Sequence, residues 1–445
     1  MTSTPAATPV AAPLVVRTVP LDRLPGARTG EGDEPDARDL LDLLPAGDAP
    51  LAWVRRGDGL VAWGEAARVE TSGPSRFADA DEAWRRIVAH AVVRDEVRLP
   101  GTGPVAFGSF AFDDESAAGG VLVVPRVVVG RRAGRAWLTT QTPAGDLGAP
   151  PDPATLRVAD HVPSPGAVAQ ADGALSPARW GAAVSDAVAR IRRGDVDKVV
   201  LARDVTVTAE EPVDPRWVAR RLADRYAATW TFVVDSLVGA TPELLVRSQK
   251  GLVTSRVLAG TIRRTGDDEA DMARAGILAH SSKDLEEHEY AVASVAAALT
   301  PFCSSTNVPD VPFVLPLPNV LHLASDVTGV LAPDEPRPTS LALAAALHPS
   351  AAVCGTPTAA ARDVIRAVEH MDRDRYAGPV GWLGADGDGE WGIGLRSGRV
   401  QADDPRRVRI FAGCGVVAAS EPTAELAESE AKLEPMRWAL GVRTR

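Results

Sequence analysis

Cysteine is scarce in this chain: its 445 residues hold three, Cys303, Cys354 and Cys414, and none sits in a C-x-x-C pair. Neither a disulfide framework nor a thiolate zinc site is indicated, and a reducing compartment is expected. No stretch approaches the roughly 18 apolar residues of a membrane span. The opening MTSTPAATPVAAP has neither the basic nor the apolar region of a secretion signal, so a cytoplasmic protein that does not enter the membrane is expected. Lys/Arg-rich runs are missing too, and the net charge is −11, which removes the electrostatic footprint that nucleic-acid binding requires. G-x-S-x-G, P-loop and strand-turn-helix G-x-G-x-x-G motifs do not occur, which argues against α/β-hydrolases, NTPases and dinucleotide enzymes. If the substrate is an anion, an acidic protein must meet it with local positive charge from Arg, Lys, backbone N–H groups or a metal.

What is present is a globular composition, 45% hydrophobic and 24% charged. Residues 1–12, rich in Ala, Pro and Thr, read as a disordered tail, and Gly30 to Asp48 as a loop or short helix. Residues 13–165 form a strand-rich part (LAWVRR, LVAWG, VAFGSFAF, GVLVVPRVVVGRR, AWLTTQ) with one helical run, DADEAWRRIVAHAVV. After a Pro/Ser/Gly-rich shift, a catalytic region is expected over 176–440. It opens with a helix capped at Ser176-Pro177, with Trp180, Val184, Val188 and Ile191 on one face and Gly194 at its end. A strand (DKVVLARDVTVTA), a helix (PRWVARRLADRYA) and three strands (TWTFVVD, ELLVRSQ, VTSRVLAG) follow. With no repeat and no regular βαβ alternation, the expected class is α+β, large antiparallel β-sheets packed with helices, rather than a Rossmann arrangement.

Several segments carry groups capable of chemistry. Lys198 shares a strand face with Val196 and Val200; a desolvated ammonium there would have the lowered pKa of a general base. Read alone, the segment fits a strand-end lysine reaching water better. Glu243, at the entry to an apolar strand, is a general acid in one reading and a surface glutamate in the plainer one. Two acidic helices are more informative. SSKDLEEHEYAV carries Glu286, Glu287 and Glu289, and SEPTAELAESEAKL places Glu421, Glu425, Glu428 and Lys432 on one face, where like charges repel. A divalent cation between Glu287 and Glu428 would turn that repulsion into a site of hard oxygen ligands; a solvated acidic face fits equally well. RIFAGCGVVAASEP reads as a strand followed by Gly413 and Gly415, glycines that form either an anion cradle or a simple turn. Arg396 and Lys432 are unremarkable cations when taken singly. His322 and His348 lie in apolar surroundings and read as satisfied core histidines.

Taken together and in order, these segments resemble the chorismate-binding enzyme family. DKVVLAR, ATPELLVR, LAGTIRR, SSKDLEEHEYAV, NVLHLASDVTG, LHPSAAVCGTP, YAGPVGW, GEWGIGLRSG, FAGCGVV and AELAESEAKL carry the resemblance from about Ser176 to Leu440, while the N-terminal third matches loosely. The resemblance implies Mg2+ held by Glu287 and Glu428. It implies chorismate carboxylates met by Arg396, Lys432 and backbone near Gly260, Thr261, Ala352 and Gly413. Lys198 would be the base that activates water and Glu243 the acid to the departing hydroxyl. Family members that add ammonia typically carry glutamine where Lys198 stands, and aminodeoxychorismate synthases carry a nucleophilic lysine where this chain has Ala259. The expected reaction is therefore isochorismate synthesis, with salicylate synthesis as the alternative and a non-catalytic chorismate-binding module as an alternative of another class. The family resemblance also implies a monomer, and leaves a menaquinone or a siderophore route open.

Overall fold

The computed structural model describes residues 13–26, 36–146, 152–333 and 336–442; the 1–12 tail and part of the Gly30–Asp48 loop lie outside them. Two large sheets dominate. One has 13 strands, running from Val168–Asp172 through Lys198–Ala209, Arg407–Val416, Ser397–Val400, Leu237–Thr241 and Trp230–Val234 into Leu51–Arg55 and the remaining N-terminal strands. The other has 10 strands and includes Val320–Leu331, Leu252–Arg263, Leu244–Gln249, Gly389–Ile393, Pro379–Gly384 and Val105–Phe110. Strand pairs are antiparallel except for Leu14–Leu21 with Val92–Asp95 among the described residues. The α+β expectation of large antiparallel sheets packed with helices holds. Both sheets draw strands from either end of the chain: Leu51–Arg55 pairs with Trp230–Val234, and Val105–Phe110 with Pro379–Gly384.

Local chemistry accounts for the elements that build the site. The helix Pro177–Arg193 starts where Ser176 Oγ accepts from the Arg179 N–H and proline occupies the first turn, and it ends at Gly194 with φ +83°. Its buried stripe of Trp180, Val184, Ala187, Val188 and Ile191 packs into the main core, and Trp180 Nε1 donates to the Ala202 carbonyl at 3.0 Å. That bond locks the helix onto the strand that begins at Lys198.

Three local expectations shift. The run DADEAWRRIVAHAVV is helical only as Arg76–Ala89, because Val92 and Val93 join a strand. GVLVVPRVVVGRR divides at Pro125-Arg126, so that Gly120–Val124 belongs to the smaller sheet and Val127–Arg132 to the larger; two consecutive apolar strands read as one when only their hydrophobicity is visible. Gly413 and Gly415 do not follow the strand but lie inside it, opposite Ala202 and Val200.

Trp180 is fully buried, so Trp180→Ala should lose about 3–5 kcal/mol of unfolding free energy in a urea titration. A loss below ~1 kcal/mol would contradict the packing described.

Candidate active site

The chain crosses from the larger sheet to the smaller between Leu237–Thr241 and Leu244–Gln249, and it crosses back between Gly389–Ile393 and Ser397–Val400. The first crossing carries Glu243 and the second carries Arg396. They are bonded side by side, the Ile393 N–H donating to the Glu243 carbonyl at 3.3 Å and the Ala240 N–H to the Arg396 carbonyl at 3.2 Å. Arg396 sits at φ +49°, the left-handed conformation that lets so short a connection turn. A small cavity, partly open to solvent, lies against these crossings.

Of the residues expected from sequence, Glu243, Gly260, Thr261, Glu287, Ala352, Arg396, Gly413 and Lys432 line this cavity. Lys198 and Glu428 do not line it, but each touches a residue that does. Lys198 is fully buried at the start of its strand, with Nζ 3.4 Å from Glu287 Oε1 and 3.4 Å from the Glu287 carbonyl oxygen. Burial here exceeds the half-desolvated lysine that the strand pattern suggests, because the helix Ser282–Leu299 covers it. Glu428 pairs with Lys432 one helical turn on, at 2.6 Å, and Lys432 Nζ also donates to the Gly413 carbonyl at 3.0 Å.

The electrostatics follow from burial. Glu243 is 4% exposed; desolvation pushes its carboxyl up to about 8, against the N–H of Leu258 and the positive charges of Lys198, Arg396 and Lys432. It is therefore a protonated donor at neutral pH. Glu428 is also held above the ordinary glutamate value, by burial first and then by the negative charges of Glu425 and Glu287, although Lys432 opposes this. For Lys432, burial works against the charge and Glu428 overcomes it, leaving the amine above its usual value.

Glycine at 415 makes room for the Glu287 carboxylate. A Cβ there would lie 2.1 Å from Glu287 Oε1 and 3.2 Å from Lys198 Cε, so the missing side chain is what admits the Glu287 carboxylate. Gly413 likewise offers its carbonyl to Lys432 rather than forming a turn, since both of these glycines are ladder residues. Gly260 marks an irregularity in strand register between Ala259 and Thr261 and has φ +81°.

Sequence reasoning missed His322. It lines the cavity, where Thr261 Oγ1 lies 3.0 Å from its Nδ1 and Arg396 Nη2 3.1 Å from its Nε2. Burial, reinforced by Arg396 and Lys432, drives its pKa well below the ordinary histidine value. A guanidinium only donates, so Nε2 accepts, Nδ1 carries the proton, and the Thr261 hydroxyl remains able to donate elsewhere. Tyr376, stacked on Phe411 at 5.0 Å, also lines the cavity. The signal available for both was their place in motif segments, since apolar flanks disguise a buried polar network as core. His348, by contrast, is a satisfied core histidine, its Nε2 2.9 Å from the Phe112 carbonyl.

Among the described residues no three His, Cys, Asp or Glu side chains gather as a metal cluster. Two carboxylates suffice for magnesium when substrate oxygens and water complete the shell, and the negative charge crowding Glu428 is the environment that a hard cation relieves. The donor set fits.

Two mixed-origin sheets with a buried acid and several cations at their crossings define a protein built to take a small anion. The chorismate binding enzyme family matches residues 53–441. The salicylate biosynthesis isochorismate synthase of Pseudomonas aeruginosa is 36% identical over 416 residues, 88% of this chain and 84% of the relative. Isochorismate synthase MenF of Bacillus subtilis is 32% identical over 408 residues, 86% of this chain and 85% of the relative. The solved structure of MenF, the menaquinone-specific isochorismate synthase from Escherichia coli, matches with a TM-score of 0.75 and 24% identity over 98% of this chain and 96% of that one, a likeness of fold alone. This chain belongs to the chorismate-binding enzyme family.

The buried Glu243 carboxyl should be visible directly. In carbon-detected NMR of protein labelled at glutamate carboxyls, one resonance should titrate near pH 8 and vanish in Glu243→Gln. Titration of every glutamate near pH 4–5 would contradict the desolvated environment.

Proposed function

We propose that this protein is an isochorismate synthase, converting chorismate to isochorismate by adding water at one ring carbon and expelling hydroxide from another. One observation carries the reading: a carboxyl held protonated lines a cavity beside Arg396 and Lys432, cations suited to carboxylates, and the wall residue Glu287 contacts a buried lysine. The relative named for salicylate biosynthesis and the one from Bacillus subtilis are both isochorismate synthases, so isochorismate is the expected product whichever route consumes it.

In this reading Arg396, Lys432 and backbone near Gly260, Thr261, Ala352 and Gly413 hold the substrate carboxylates, supplying local positive charge within an acidic chain. Lys198 takes a proton from water as the new C–O bond forms. Glu243 gives its proton to the oxygen of the breaking C–O bond, which leaves as water, so the overall change is an isomerisation. Glu287 and Glu428 would hold Mg2+, which when bound polarises and orients the substrate. Lys198 must release its contact with Glu287 to meet the water. The enzyme is read as cytoplasmic, in keeping with its three free cysteines, and as a monomer from the family resemblance.

Purified protein with chorismate and magnesium should yield isochorismate without pyruvate by chromatography. Salicylate with pyruvate would replace this assignment with a salicylate synthase, and no turnover would leave a binding module. Lys198→Ala should lower kcat by about 10²–10⁴ while chorismate binding stays measurable; unchanged turnover removes Lys198 from the base role. Because Glu243 acts protonated, kcat should fall as pH rises through about 8. Glu428→Gln should raise the magnesium concentration for half-maximal activity by roughly tenfold or more, and an unaltered titration would contradict its assignment as a ligand.

A further inference from the structure

Arg373 lines the same cavity, yet the chemistry above gives it no part. It is 3% exposed and its partner Glu369 1%. Arg373 Nε donates to Glu369 Oε2 at 2.8 Å, Nη1 to the Val353 carbonyl at 2.8 Å and Nη2 to the Val200 carbonyl at 2.6 Å. Glu369 Oε1 in turn accepts the Ala202 N–H at 2.7 Å. The guanidinium lies 4.2 Å from the Phe112 ring, closed in from that side.

These bonds fill a gap in the sheet. On one edge the strand Lys198–Ala209 is paired continuously with Arg407–Val416. On the other edge, Lys198 and Val199 pair with Thr356 and Gly355, the Val200 N–H donates to the Cys354 carbonyl, and strand pairing resumes only at Val205 opposite Asp172. Between those points the outward backbone groups of Val200 and Ala202 are met by side chains: Arg373 and Glu369, with Trp180 on the Ala202 carbonyl. The ion pair thus adds to the backbone bonds at Cys354 to Thr356 a side-chain link between the strand that begins at Lys198 and the Ala352–Val353 segment, and Val200, Ala202 and Val353 all face the cavity. A buried ion pair is a poor stabiliser, since apolar residues of similar volume often serve stability as well or better. Its presence in a cavity wall calls for a geometric role.

We propose that Glu369–Arg373 is a positioning pair that fixes the spacing between the Lys198 strand and the substrate-facing Ala352–Val353 segment. This rests on the isochorismate synthase reading and extends it: Arg373 sets where bound chorismate lies relative to the base without reacting itself. The test replaces both partners at once, as Glu369→Leu with Arg373→Met. Its melting temperature should stay within a few degrees of wild type, while kcat falls about 100-fold, as expected when reacting groups are misplaced by about an ångström, and KM changes much less. A folded double variant with wild-type kcat overturns the proposal. Arg373→Lys should not rescue, because an ammonium cannot bond Val200, Val353 and Glu369 in one planar fork; recovery of kcat by lysine would assign the pair to charge balance alone and overturn it. Should the double variant not fold, Glu369→Gln, which keeps an acceptor for Ala202 but loses the charge that orients Arg373, should lower kcat about tenfold, and a wild-type kcat there is equally fatal. Wild-type enzyme run in parallel separates the two levels: if it makes no isochorismate, the functional reading fails, whereas turnover in wild type with no loss in the variants sinks the positioning role alone.

Discussion

The structure depends on a pair of adjoining strand-to-strand crossings. Where the chain leaves one sheet at Thr241 and returns from the other at Arg396, the two connections are hydrogen-bonded to each other in a place screened from water by both sheets. A buried connection must satisfy its backbone internally, and here mutual bonding does so. The side chains at such a place inherit a low dielectric whatever their identity. A glutamate there becomes a weak acid and a histidine in the same cavity becomes neutral, burial being the leading cause of both.

Around that point the remaining groups are supplied by elements that cover the crossings. The helix Ser282–Leu299 brings Glu287 over Lys198, the helix Pro422–Leu440 brings Glu428 and Lys432, and the bulged strand Leu252–Arg263 brings Gly260 and Thr261. Positive and negative groups are interleaved here. Lys198 contacts Glu287, Lys432 contacts Glu428, and Arg396 turns to a neutral ring. Three cations are thereby gathered at one place inside a protein of net charge −11.

Much of this was legible in the sequence, unevenly. Helix boundaries marked by Ser176, Pro177 and Gly194 were readable because caps and breakers act locally. The face shared by Glu425, Glu428 and Lys432 was readable because helical spacing is fixed. That Glu243 lines a cavity whose wall residue Glu287 contacts the buried Lys198 was not available from either segment; each alone favoured a solvated side chain, and only the order of many motifs brought them together. The division of GVLVVPRVVVGRR between two sheets was hidden because both pieces are apolar, and the network of Thr261, His322 and Arg396 was hidden because a histidine among Leu and Ala looks the same whether it is idle or bonded. The in-strand placement of Gly413 and Gly415 depends on which helix lies above them, a tertiary fact.

Gly415 shows how far such dependence reaches. The space above its Cα belongs to the carboxylate of Glu287, so any side chain at 415 would have to push that carboxylate aside. A residue with no charge and no reactivity thereby decides where an acid remote in the chain comes to rest, as a mould shapes a casting.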